Sequence, residues 1–338
     1  MIKRSLFRFT RSITQQLHVR FNIQRLWAVT TIFVLLVLFI LFINKGKHEA
    51  IIVRQLFVKR DDLQFLRNQE ECSNKTFLMI YIHSKPANVE RRSIIRRTWG
   101  SRAVLDKHQA RLIFVTGEVA DPTLQIILDL ENELHEDIIQ INFTDSYRNL
   151  TYKAISGLKW VAENCQNASF VLKTDDDIIV DINTVITLLT SNYDNRLQKK
   201  NLLACYVSKN NYVERNKNSK WYTSYEEYPD PFYFNYCSGS AFIMSNDVVK
   251  KFYLKSHETP FFWIDDYYVT GMLPRATNIT HVPLNERYCF SKTADLRKEL
   301  ANKANITFIE SPNSSTSSFV WKTYLVRSKY RKSTHHRI

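Results

Sequence analysis

Several things the chain lacks narrow what it can be. Its five cysteines, Cys72, Cys165, Cys205, Cys237 and Cys289, include no pair two to four residues apart, so the spacing of a structural zinc site is absent. Acidic residues are missing from 1–25 and from 322–338, two segments that each carry six Lys or Arg. The formal net charge of +14 is therefore mostly terminal: 47 basic residues less those twelve leave 35 against 33 acids over 26–321. A body so close to neutral has no basic face for nucleic acid. No internal repeat or low-complexity tract appears, and 338 residues suffice for one domain with a full core.

Charge is also missing from Leu26 to Ile43, an 18-residue apolar run between Arg25 and Lys45. That length is at the short end for a membrane-spanning helix. A cleaved signal peptide would have a shorter apolar core and a small-residue cleavage site, which Asn44-Lys45-Gly46-Lys47 does not offer. The sequence thus predicts a cytosolic tail (1–25), a transmembrane signal-anchor helix (26–43), a polar stem (44–71), a catalytic domain (72–321) and a basic tail (322–338). Basic residues barely orient the anchor, six preceding it and five following nearby. Seven Asn-x-Ser/Thr sequons, at Asn74, Asn142, Asn149, Asn167, Asn278, Asn305 and Asn313, all follow it and favour a lumenal C-terminal side. A thin, Golgi-type membrane suits so short a span. In an oxidising lumen two disulfides with one thiol left over are expected, their pairing open.

From Phe77 onward apolar strands alternate with amphipathic helices. Strands are predicted at Phe77–Ile82, Arg111–Thr116 and Ile138–Ile141. Helices are predicted at Val89–Thr98, Pro122–Leu134 (with Ile126, Ile127 and Leu130 on one face), Tyr152–Val161 and from Ile182. This βα alternation predicts an α/β fold with a mostly parallel, helix-flanked sheet and ligands at the carboxyl ends of its strands.

The strongest local signal is Phe170-Val-Leu-Lys-Thr-Asp-Asp-Asp-Ile-Ile-Val-Asp181, three carboxylates between two apolar, strand-like runs. At about 4 Å and an effective dielectric near 20, each like-charge contact costs roughly 4 kcal/mol. A hard divalent cation, which prefers oxygen ligands, lowers that cost. In an extended segment Asp175 and Asp177 face the same way and Asp176 another. A capped helix or solvated turn is the competing account, but Ile178-Ile179-Val180 makes a poor first helical turn. An EF-hand loop would need Gly where Val180 stands.

Other motifs are weaker singly. Arg92 and Arg96 lie one helical turn apart and can reach one spot, as forks for a phosphate or simply along a solvated face. Asp145-Ser-Tyr-Arg-Asn-Leu-Thr-Tyr-Lys153 combines a helix start with a basic residue, and capping would explain its first residues. Lys220 to Pro229 and Pro231 to Ala241 are dense in aromatics, which suit the apolar face and polar rim of a sugar or ordinary core packing. Asp265 and Asp266, within Phe261-Phe-Trp-Ile-Asp-Asp-Tyr-Tyr-Val-Thr-Gly271, sit in apolar surroundings that raise a carboxylate's pKa and make it a better base. Ion pairing or capping is the alternative.

Their order is far more specific. R-x-x-I-R-x-T-W-G, D-S-Y-x-N-L-T-x-K, K-T-D-D-D, K-W-Y…Y-P…Y-C-S-G and D-D-x-x-x-x-G, running from Phe77 to Phe290, resemble the β1,3-glycosyltransferase family. The resemblance implies a GT-A-type domain behind an N-terminal transmembrane helix, in a single-pass type II Golgi membrane protein. It implies an inverting hexosyltransferase that uses Mn2+ to move galactose, or else N-acetylglucosamine, from a UDP-sugar to the 3-hydroxyl of a glycan acceptor on glycoprotein or glycolipid. Asp175 and Asp177 match the metal-holding acids of the family, and Asp176 a place near the ribose. Arg92, Arg96 and Lys153 match the nucleotide side, with Asp175 and Asp176 also contacting the donor. Asp266 matches the catalytic base, with Asp265 where the family commonly has Glu. Trp221, Tyr236 and Trp263 are expected against the acceptor, and Asn74, Asn142, Asn167, Asn278, Asn305 and Asn313 as N-glycosylation sites. Asn149 lies inside a family motif, so its sequon is expected to be incidental. The chain departs from the family pattern in having no His between Ser291 and Tyr324, where a metal ligand usually stands. A glycan-binding relative without catalysis and a metal-dependent phosphoester hydrolase are the rival readings.

Overall fold

The computed structural model describes residues 27, 30–41, 57–59, 62–191, 197–290, 305–311, 313, 317–318 and 320–322. The chain divides into two units, Met1–Gln55 and Leu56–Ile338. In the first, residues 30–41 are helical with exposed side chains. The anchor predicted over 26–43 lies partly outside the described residues, and no helix among those described is long and apolar enough to cross a membrane. The terminal segments 1–25 and 323–338 lie outside them entirely.

The second unit is an α/β fold. Its strands are β1 (Phe65–Arg67), β2 (Leu78–His83), β3 (Ala110–Glu118), β4 (Ile138–Thr144), β5 (Phe170–Asp175), β6 (Ile178–Val180), β7 (Leu203–Ser208), β8 (Tyr236–Ser245), β9 (His281–Pro283), β10 (Tyr288–Cys289) and β11 (Phe308–Glu310). The helices are α1 (Val89–Arg97), α2 (Arg102–Lys107), α3 (Pro122–His135), α4 (Leu150–Asn164), α5 (Ile182–Thr190), α6 (Asn246–Ser256), α7 (Asp265–Tyr267) and α8 (Leu273–Thr277). Eight strands form one sheet in the order β1-β4-β3-β2-β5-β8-β7-β9, and β10-β11-β6 form a smaller one. The neighbours β4, β3, β2 and β5 are mutually parallel, while β8 runs antiparallel to β5 and β7.

All six residues of β2 are buried, as a parallel strand covered on both faces requires. Successive side chains enter opposite layers: Met79 and Tyr81 pack with Ile113 and Val115 on one side, Leu78, Ile80 and Ile82 with Phe114 and Leu172 on the other. On the first side α4 comes so close that a Cβ at Gly157 would lie 2.6 Å from the Tyr81 ring.

Two expectations change. The predicted apolar face of α3 is not a buried face: Ile126, Ile127 and Leu130 are 59%, 43% and 60% exposed, and the helix seats Leu128 and Glu131 instead. An acid bound to two inner arginines, described below, outweighs the local periodicity. The stem predicted over 44–71 is partly folded, since β1 pairs antiparallel with β4 and Val58 and Leu63 enter the core. Three-residue β1 is too short for a periodic signal.

Disulfides join Cys72 to Cys165 and Cys205 to Cys237, while Cys289 is a buried thiol outside both. The carboxyl ends of β2, β3 and β5, at His83, Glu118 and Asp175, fall on one edge of the sheet, where ligands of such sheets bind.

Candidate active site

The three aspartates leave the sheet where β5 ends. The chain turns at Asp176 and Asp177 and re-enters the core as β6, which β11 pins through Ser311 N–H donating to the Asp177 carbonyl at 2.7 Å. The segment is thus a turn rather than a continuous strand, and its three carboxylates diverge. Asp175 accepts from Lys173 Nζ at 2.6 Å. Asp176 is partly buried, accepting from Ser84 Oγ at 2.7 Å and Asn88 Nδ2 at 2.8 Å. Asp177 is part-exposed, with Arg91 Nη1 at 3.5 Å, and the same guanidinium lies 3.6 Å from Asp176. Burial, with the charge of Asp177 adding to it, pushes Asp175 up to about 7 despite Lys173. Asp177 is raised by burial and then by Asp176. Glu310 on β11 is raised too, by burial and then by Asp177. This is hard-oxygen negative charge that folding leaves undercompensated, the donor chemistry a divalent cation fits. Asp175 and Asp177 could hold such an ion together with oxygens of a phosphorylated ligand. Among the described residues no group of three or more His, Cys, Asp or Glu converges as a complete metal site.

Asp265 and Asp266 come to the same edge. Lys173 Nζ, bound to Asp175, also donates to the Gly239 carbonyl at 2.5 Å. A Cβ at Gly239 would stand 3.1 Å from the Asp266 Cβ, so the glycine lets β8 and α7 approach. Behind Asp266 the helix widens into a π turn over Tyr268–Met272, a distortion frequent at functional sites. Within that turn Thr270 Oγ1 donates to the Asp266 carbonyl at 2.5 Å and accepts from the Cys237 amide at 2.8 Å, tying Asp266 to the disulfide-anchored strand. His83 Nδ1 lies 3.9 Å from Asp175 and 3.8 Å from Asp265, and its Nε2 is buried with no partner. Burial, then Lys173 and Lys153, hold its pKa well below the usual value, so it is neutral. Asp266 is pushed up to about 7 by burial and then by the charge of Asp265.

Arg92, Arg96 and Lys153, expected on the nucleotide side, bond to protein groups. Arg92 and Arg96 do reach one spot, as their spacing predicts, but the spot is Glu131. Arg92, wholly buried, grips Glu131 through Nε and Nη2 at 2.8 and 2.7 Å and donates to Ser84 Oγ and the Lys85 and Pro86 carbonyls. Arg96 bonds Glu131 at 2.6 Å and forks onto Asp137 at 2.8 Å. Burial alone would raise Glu131, yet Arg92 and then Arg96 hold it below its ordinary value. Lys153, 1% exposed, binds Asp145 and the Ser84 carbonyl. Asp145 in turn accepts from the Gly117 amide at 2.9 Å, a structural rather than a capping role. Arg92 and Lys153, and Asp176 with them, hold the Ser84–Asn88 loop, while Arg96 ties Glu131 to Asp137. The bonds of all three cations go to protein groups, and Arg91 is the arginine that faces the carboxylates. Arg92→Met should cost about 3–5 kcal/mol by removing the bidentate partner of buried Glu131 and leaving it to Arg96 alone. Urea unfolding reads this, and an unchanged midpoint would remove the scaffold role.

Asp265 and Asp266 line a cavity of about 400 Å³ together with Trp221, Tyr236, Trp263, Tyr147 and Glu214. All three aromatics expected against an acceptor therefore share one space with the proposed base. Tyr236 Oη accepts from Asn211 Nδ2 at 2.8 Å, Arg148 stacks over Trp263 at 4.2 Å, and Trp263 Nε1 has no partner. The wall is shaped by Arg215, which donates to the carbonyls of Thr223, Ser224, Tyr228 and Asp230.

Sequence reasoning missed His83, Arg91, Glu310 and the bracing by Lys173. A lysine inside an otherwise apolar strand was the visible signal for Lys173. His83, Arg91 and Glu310 carry none without the tertiary contacts.

A carboxylate cluster at the carboxyl edge of a mostly parallel sheet, beside an aromatic-walled cavity, is the site of an α/β fold suited to a ligand with both charged and ring-shaped parts. The Galactosyltransferase family model matches residues 90–285. UDP-GalNAc:beta-1,3-N-acetylgalactosaminyltransferase 1 of Rattus norvegicus is 36% identical over 233 residues, covering 67% of this chain and 69% of that protein. Beta-1,3-galactosyltransferase 5 of Gorilla gorilla gorilla is 32% identical over 223 residues, covering 65% and 74%. Among solved structures, the galactosyltransferase LgtC superposes with a TM-score of 0.36 at 10% identity, over 70% of this chain and 87% of that one. The chain belongs to the galactosyltransferase family, as a β1,3-glycosyltransferase that moves a hexose to an acceptor.

Proposed function

We propose that the protein is an inverting, metal-dependent hexosyltransferase in which Asp266 is the base. In this reading the acceptor lies in the aromatic-walled cavity with its 3-hydroxyl on Asp266. The acceptor O–H bond breaks toward the Asp266 carboxylate as the oxygen bonds to the anomeric carbon. The bond from that carbon to the UDP oxygen breaks on the opposite face, which inverts the centre. UDP leaves with the electron pair. A divalent ion, Mn2+ in this proposal, held by Asp175 and Asp177, would neutralise the diphosphate. Trp221, Tyr236 and Trp263 present faces and edges to the acceptor sugar. Galactose is the first choice of donor sugar and N-acetylglucosamine the second. The observation that carries the proposal is Asp266 itself: a part-buried carboxylate that lines the cavity and meets Asp175 through Gly239 and Lys173.

The test is UDP release by the lumenal fragment with a panel of UDP-sugars and acceptors. Turnover should need acceptor and Mn2+ and stop with EDTA. Phosphate release from a simple ester would instead favour a hydrolase, and sugar binding without UDP release an inactive relative.

Asp266 must be ionised to accept a proton, so kcat/KM should fall on the acid side of about pH 7. Removing the neighbouring charge with Asp265→Asn should move that limb to lower pH. A limb unmoved by this change would refute the coupling.

We further propose a single-pass type II arrangement in the Golgi membrane, with Asn74, Asn142, Asn167, Asn278, Asn305 and Asn313 as lumenal glycosylation sites. The charge-free run over 26–43 and the two disulfides, which persist in an oxidising compartment, support it. Protection of the C-terminal part from protease in sealed vesicles tests it.

A further inference from the structure

A second, more open cavity of about 900 Å³ adjoins the first and shares Asn210 and Tyr233 with it. None of Asp175, Asp177, Asp265 or Asp266 lines it, so it stands apart from the reacting groups. The two spaces are separated by a short ribbon. Val213 N–H donates to the Pro231 carbonyl at 3.0 Å, and Tyr233 N–H to the Asn211 carbonyl at 2.9 Å. Across the ribbon the ring of Tyr212, which lines the first cavity, lies 4.5 Å from that of Phe232, which lines the second.

These rings are not core. Tyr212 is 76% exposed, and Phe232 and Phe234 are about as exposed as Trp221 in the first cavity, at 41% and 40% against 50%. Arg275 stacks its guanidinium over Phe234 at 3.8 Å, which holds that ring in place. Between the rings come Asn210, Asp230, Asn235 and Arg275, all able to meet hydroxyls. A smooth apolar groove would suit a lipid tail or an amphipathic helix. Separate aromatic faces set among amide, carboxylate and guanidinium groups suit a chain of sugars, each apolar on its C–H face and polar at its rim.

Resting on the transferase reading, we propose that this second cavity extends the acceptor site. It holds the sugars behind the one that receives the new residue, so the preferred acceptor is an oligosaccharide rather than a single sugar. The chain runs from Asp266 past Trp221, over the Tyr212–Phe232 pair, and onto Phe234.

The test compares initial rates on methyl β-glycosides of galactose, N-acetylglucosamine and N-acetylgalactosamine with rates on tetrasaccharides ending in the same sugars. The tetrasaccharide matching the active glycoside should show a kcat/KM about tenfold higher or more. Phe234→Ala should remove about tenfold of that advantage, as the loss of one aromatic contact predicts, while the glycoside rate holds. Arg275→Ala, which leaves the ring but removes its clamp, should lower the advantage by less. Thermal unfolding of both variants confirms that they are folded. Equal kcat/KM for short and long acceptors, or equal losses on both in the variants, overturns the extended site and leaves the transferase intact. Absence of transfer to any acceptor overturns the transferase reading and this one with it.

Discussion

Asp266→Asn is expected to lower kcat by a hundredfold to ten-thousandfold, the usual contribution of a positioned general base. UDP binding should stay nearly unchanged. The amide keeps the shape of the side chain and its place between Gly239 and the π turn, but it cannot accept the acceptor's proton. The surroundings of this acid suit it to proton transfer, because burial disfavours its charge and Asp265 beside it disfavours it further. Isothermal titration with UDP and Mn2+, set beside rate measurements on the same preparation, separates the two effects. Retained turnover would remove Asp266 from the chemistry. Turnover and UDP binding lost together would point to a collapsed site rather than a missing base.

The second large effect is expected at Asp177. Asp177→Asn should weaken Mn2+ binding by more than the ~10–100-fold that an altered outer-shell partner costs a metal site. UDP affinity measured with Mn2+ should fall with it, while affinity in EDTA stays put. Asp175 and Asp177 are similarly part-exposed, but Asp177 faces Arg91 at 3.5 Å, whereas Asp175 is bridged to Lys173 at 2.6 Å and Asp176 is taken up by Ser84 and Asn88. Asp176→Asn should act differently, loosening the Ser84–Asn88 loop and lowering stability before it touches metal affinity. Electron paramagnetic resonance titration of Mn2+ reads the first effect directly. Equal Mn2+ affinities in wild type and Asp177→Asn would move the ion elsewhere.

Much of the site was legible in the sequence. The aspartate trio announced itself because three like charges between apolar runs repel strongly unless something offsets them. Asp265 and Asp266 stood out because apolar neighbours raise a carboxylate's pKa. Trp221, Tyr236 and Trp263 were marked by aromatic density and do share a cavity with Asp266. The arginines were harder. A helix turn places Arg92 and Arg96 on one face, but nothing local tells whether that face meets a phosphate or a glutamate 35 to 39 residues away. The apolar residues of α3 misled in the same manner, since the face turned inward carries Leu128 and Glu131 while Ile126, Ile127 and Leu130 stay exposed.

By itself the sequence determined the alternating strands and helices of the parallel part of the sheet, the place of the acidic cluster at the end of β5 and the order of the family motifs. All of these are set by periodicity and by neighbours in the chain. Only the tertiary structure decided that Cys72 meets Cys165 and Cys205 meets Cys237, and that Arg91 rather than Arg92 faces the carboxylates. It also decided that Asp266 lies against the glycine whose carbonyl Lys173 holds. The reason is physical: residues far apart in the chain meet only when buried charge and packing must be satisfied across the whole core at once.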